Sequence, residues 1–79
     1  MFNNLNICWL DVESTSIAAI AWNKNELKLF IRFQSKGNPE WSYSPVTYED
    51  YQLFIKAESL GSFFHTHIKT NPGIKAERL

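Results

Sequence analysis

Between residues 26 and 33 the apolar side chains recur at every second position, a pattern that only a β-strand sorts into two faces. Leu27, Leu29, Ile31 and Phe33 fall on one side, and Lys28, Phe30 and Arg32 on the other. Strand partners lie on both flanks. Residues 17–22 form a dense apolar run, and Asn23-Lys24-Asn25 supplies the turn between the two. After a second turn over 35–39 that contains Gly37, residues 40–43 read as a third hairpin partner, ended by Ser44-Pro45. Leu5, Ile7 and Trp9 alternate weakly and predict a short strand within the first 11 residues.

Helical signals begin only after the strands. Thr47 is placed to cap a first helix, with Asp50 three residues on as an approximate capping box, and Val46 and Tyr51 at the spacing of a hydrophobic staple. This helix is predicted over 48–58. Ser59 is placed to cap a second, over 60–69, whose first turn holds Gly61 and Ser62 before Phe63 and Phe64. Asn71-Pro72-Gly73 stops it, and 70–79 reads as a polar, loosely held tail. Strands followed by helices, without alternation, predict an α+β fold: a three- to four-stranded antiparallel meander followed by two helices packed on one face. Two short helices cover one face of such a sheet, so the side bearing Lys28, Phe30 and Arg32 is expected to lie open.

Size and composition remove several classes of function. At 79 residues there is room for one core, and 1–79 reads as a single domain. Cys8 is the single cysteine, which excludes a disulfide-stapled scaffold. Reinforcement is left to packing or self-association, and the 15% aromatic content serves either. Eight basic residues balance eight acidic ones, so a broad electrostatic footprint for duplex nucleic acid is not expected. The longest apolar run, 17–22, is too short to span a bilayer, and the opening Met-Phe-Asn-Asn lacks the features of a signal peptide. The expectation is a soluble cytoplasmic protein without a membrane partner.

An ordered set of residues resembles a known family. Val12-x-Ser14-Thr15-x-Ile17, a strand ending near Trp22, residues 27–33, Trp41-Ser42-Tyr43, Val46, and Ala57-x-Ser59-x-Gly61-x-Phe63-Phe64-x-x-x-Ile68 together look like the KTSC domain, over about 12–69. That family is named for a segment at the C-terminus of some lysyl-tRNA synthetases, and it also occurs as free-standing proteins of bacteria and phages. Trp41 departs from the usual Tyr-x-Tyr of the family, and His65 stands where a small amide residue is usual. The resemblance implies no catalytic activity. Through the synthetase context it implies RNA binding.

Four groups of residues are candidates for chemistry. Trp41 and Tyr43 share a strand face, where two rings either stack nucleobases or pack beneath the helices. Lys28 and Arg32 flank Phe30, an arrangement that suits a base beside its phosphates, a dimer interface, or a plain solvated strand. Ser59, Gly61 and Ser62 at a helix start suit a phosphate, with Lys56 and Lys69 near enough to help and Glu58 opposing. The ordinary alternative is that Ser59 is a cap and Gly61 a point of close packing. His65-Thr66-His67 does not suit a metal, because residues two apart on a helix point to nearly opposite sides. Asp11, Glu13, Ser14 and Ser16 do not assemble a catalytic pattern, and no cofactor is implied.

Two functions follow as expectations. The first is a non-enzymatic binding domain for RNA or a nucleotide, with a base stacked on Phe30, Trp41 or Tyr43 and phosphate held by Lys28, Arg32 or the Ser59–Ser62 turn. A free-standing phage copy would act as a sponge for a nucleotide signal. The alternative is a protein–protein module that forms a homo-oligomer or captures a host protein.

Overall fold

The computed structural model describes residues 7–79. Five strands form one antiparallel sheet in the order β1-β2-β3-β4-β5, a pure meander. They are β1 (Leu10–Asp11), β2 (Ile17–Asn23), β3 (Lys28–Phe33), β4 (Glu40–Ser44) and β5 (Lys75–Arg78). Helix α1 (Tyr48–Ile55) and a second helix lie between β4 and β5. The second helix starts as a single α-turn, α2 (Leu60–Phe63), and continues as a π-helical stretch, Phe64–Lys69. The α+β class and the meander are as expected, but the sheet has five strands rather than three or four.

The differences from the expected sheet lie at the chain ends: the expected N-terminal strand is shifted, and β5 is new. The N-terminal strand is Leu10–Asp11, and of the residues expected there, Ile7 and Trp9 are outside it and Leu5 lies outside the described residues. The supposed polar tail contains β5, which pairs Ala76 with Tyr43 and Arg78 with Trp41, and Leu79 N donates to Glu40 O at 2.9 Å. Every residue of β5 is exposed, so no apolar run marked it. Charges along an edge strand also discourage pairing with a further chain.

β2 carries an irregularity that explains its unbroken apolar run. Ile17 pairs with Phe33 and Ala19 with Arg32, so two steps on β2 oppose one on β3. The bulge shifts the alternation and lets Ile17 and Ile20 both face the helices, where each is fully buried. Leu29, Ile31 and Tyr43 meet them from β3 and β4, and Phe54, Phe64 and Ile68 from the helices. Leu27 does not join this face as the alternation had predicted. It sits in the turn with φ 52° and is 37% exposed, while its carbonyl accepts from Val46 N at 2.7 Å.

The predicted caps form. Thr47 Oγ1 accepts from Asp50 N at 3.1 Å, and Ser59 Oγ from Ser62 N at 3.2 Å. Helix α1 is three residues shorter than predicted, ending at Ile55. Val46 is fully buried behind its cap. The Trp22 indole stacks on Tyr51 at 5.3 Å and donates to Val46 O at 2.9 Å, which ties the helix start to β2. No helix among the described residues is long and apolar enough to cross a membrane.

Candidate functional site

β4 sends Trp41 and Tyr43 toward the helices and Ser42 to the opposite face. Tyr43 is buried in the core, whereas Trp41 is half-buried. Phe64 meets Tyr43 edge-to-face with ring centres 5.0 Å apart, and meets Phe33 of β3 in the same manner at 5.5 Å. Between these rings and β5 lies a cleft of about 420 Å³, within the ~300–1,000 Å³ span of small-molecule sites. Ile68 and Lys69 line it from the π-helical stretch, and Ile74 and Ala76 from the C-terminal segment. Ala76 stands directly across from Tyr43, and its small side chain leaves the space open.

The cleft is apolar with one charge, Lys69. Burial pushes the Tyr43 phenol up to about 12; protonated at neutral pH as any tyrosine is, it can donate a hydrogen bond. The chemistry available is that of a flat apolar body placed between rings, with a cation for an attached anion. The π-helical stretch builds one whole wall, and such rare widened turns occur frequently at functional sites.

Of the residues singled out in the sequence, the structure brings Trp41 and Tyr43 to this cleft. Lys28, Phe30 and Arg32 lie on the opposite face of the sheet, where Phe30 is 5% exposed rather than open to solvent. Trp9, just before β1, covers it: the rings meet edge-to-face at 6.4 Å, and the Arg32 guanidinium sits 4.4 Å from the centre of the Trp9 ring. The small residues Ala19 and Ala21, facing the same way from β2, leave room for that indole. Arg32 also pairs with Glu40 at 2.8 Å, and Lys28 with Glu26 at 3.5 Å. Both cations of the strand thus have partners within the chain.

Ser59, Gly61 and Ser62 border a separate polar hollow with Thr15, Ser16, His65 and Thr66. Gly61 serves close packing there, because a Cβ on it would collide with the Ser16 Oγ. Ser59 Oγ is engaged as a cap, and Ser14 Oγ accepts from Ser16 N and Ile17 N, both at 3.2 Å, in a local turn. Lys69 is not beside Ser59 but at the far end of the helix, on the aromatic cleft, and Lys56 lies along α1. His67 stacks on Phe63 at 4.3 Å and His65 borders the hollow. The described residues contain no cluster of three or more His, Cys, Asp or Glu side chains able to hold a metal.

Sequence reasoning missed Phe33, Phe64, Ile68, Ile74 and Ala76 as cleft residues, and assigned Lys69 elsewhere. The i, i+4 pair Phe64 and Ile68 signalled a buried helix face, and the alternation of Ile74 and Ala76 with charged neighbours was the available sign of a fifth strand.

Comparisons with known proteins agree with this architecture. No curated protein matches the sequence. Among solved structures, a KTSC domain protein from Yersinia pestis is similar at a TM-score of 0.82 and 26% identity, over 92% of this chain and 97% of that one. The family profile described as the KTSC domain matches residues 13–71, which span β2 to the end of the second helix but not β1 or β5. With that much of its length matched, the chain belongs to the KTSC domain family.

Proposed function

We propose that this protein is a non-enzymatic binding domain for a nucleotide or for an unpaired base of RNA, taken into the aromatic cleft. The observation that supports this reading is the convergence of Phe33, Trp41, Tyr43 and Phe64 on one ligand-sized space with Lys69 at its wall. A base stacked on the accessible part of Trp41 gains about 1–3 kcal/mol, and Lys69 offers a phosphate a single charge-assisted contact. One cation and a net charge of zero suit a mononucleotide or a short single strand better than a duplex. Reversible capture without chemistry is the action of a sponge for a nucleotide signal.

Calorimetric titration with the four ribonucleoside monophosphates and a short mixed single-stranded RNA tests the reading. Trp41→Ala is expected to weaken binding by tenfold or more, while Phe30→Ala and Arg32→Ala leave it within about twofold. The opposite ranking would move the site to the outer sheet face.

The alternative, a protein–protein module, draws on a different surface. Tyr48 and Leu53 on α1 are 58% and 59% exposed beside a shallow hollow that Lys56 also borders. If this patch joins copies of the chain, solution mass rises with concentration in the micromolar range and Leu53→Lys abolishes the rise. A monomeric mass independent of concentration counts against the homo-oligomer and leaves capture of a host protein as the remaining form.

A further inference from the structure

Tyr43 is 6% exposed, and no hydrogen bond joins its hydroxyl to another described residue. Yet no buried side-chain oxygen or nitrogen among those residues is sealed from solvent without a partner. The hydroxyl is therefore not sealed from solvent, and Tyr43 is one of the residues that line the aromatic cleft. A phenol buried in a core normally places its hydroxyl against a protein acceptor. Here the acceptor is left to whatever enters. A purely apolar occupant would strip water from the hydroxyl and leave it unpaired, which disfavours such an occupant.

The remaining lining restricts the occupant further. Rings of Phe33, Trp41 and Phe64 favour a flat body, and Lys69 is the one charged group in the wall, with no carboxylate to oppose an anion. Arg78, paired across from Trp41 on β5, adds a second cation on the same side of the sheet.

We infer that the cleft selects a planar heteroaromatic anion, with a ring nitrogen or carbonyl accepting the Tyr43 Oη–H and the anionic group lying against Lys69. This rests on the reading of the cleft as a base-binding site and narrows it, making Tyr43 the residue that fixes which edge of the ring enters. The phenol, like that of any tyrosine, is protonated throughout the neutral range, so the donor is present there.

Two isosteric probes test it: quinoline-6-carboxylate and 2-naphthoate, which share shape and charge and differ by one ring acceptor. The wild-type protein is expected to bind the quinoline about tenfold more tightly. Tyr43→Phe should erase or reverse that preference with no loss in melting temperature. Lys69→Ala should weaken both acids alike and keep the preference, a test that does not depend on the Tyr43 variant folding. Equal affinities in the wild type, a preference that survives Tyr43→Phe, or failure of both acids to bind would overturn the inference. AMP and UMP, titrated alongside, separate the two claims. Acids that discriminate while nucleotides fail to bind would sink the nucleotide reading alone. Nucleotides that bind with no response to Tyr43→Phe would sink the role of Tyr43 alone.

Discussion

Trp41 and Tyr43 are two residues apart on one strand face, yet only one of them is finished by the fold. Tyr43 has its ring locked against Phe64 and its phenol raised to about 12 by burial. The unfolded chain ionises that phenol near the ordinary tyrosine value of 10.0, so above pH 10 it loses a proton that the folded protein keeps. Stability from this group is fully present below pH 10 and is lost progressively as pH climbs to about 12. Urea midpoints at pH 9 and pH 11 should show the fall, and Tyr43→Phe should remove most of it. The remainder belongs to Tyr51, whose phenol is raised by burial and then by its neighbour Tyr48. An unchanged fall in Tyr43→Phe would show that the phenol is not shielded. At Gly61 the competing effects nearly cancel. A methyl group there meets the movable Ser16 hydroxyl, while alanine gains about 1 kcal/mol of helix propensity over glycine. Gly61→Ala is expected to change stability by less than about 1 kcal/mol, measured by thermal melting, and a loss above about 2 kcal/mol would mean that the Ser16 contact is rigid.

Among the elements, the strands and caps with local signals were legible, and those specified by partners at a distance were not. β3 announces itself by alternation, and Thr47 and Ser59 by their position before apolar runs. β5 has four exposed residues, three of them charged, and becomes a strand because β4 offers an unpaired edge. The π-helical stretch was equally hidden, because the Phe64–Ile68 spacing suits an α-turn as well as a wider one. Its Thr66 and Thr70 hydroxyls donate back to Ser62 O and Thr66 O at 2.9 and 3.0 Å, bonds that no residue pattern forecasts. The same division governs the site. Trp41 and Tyr43 could be read from their own strand, but the cleft exists because β5 and the second helix close around them. Truncation after Asn71 is thus expected to cost more than a tail should. Amide exchange in β4 should speed up by at least tenfold, and ligand binding should be lost together with Ile74 and Ala76. Unaltered β4 protection in the truncated protein would show that β5 contributes nothing to the sheet.

At the scale of the whole molecule, the sheet separates two aromatic groups with different fates. On one face the chain covers Phe30 with its own Trp9 and satisfies Arg32 with Glu40. On the other, the helices bury Tyr43 and leave a space beside Trp41. Residues outside the family match contribute to both: Trp9, just before β1, covers Phe30, and Ile74 and Ala76 complete the wall of the cleft. On the proposed function, a base or nucleotide is expected in the cleft rather than on the cation–aromatic strand. Backbone amide NMR during titration with a mononucleotide and a short single-stranded RNA asks that question most directly. The account predicts saturable shifts at Trp41, Tyr43, Phe64, Ile68, Lys69 and Ala76, with Lys28, Phe30 and Arg32 left in place. Shifts confined to the Phe30 face or to α1, or a spectrum indifferent to every nucleotide and RNA offered, would contradict it.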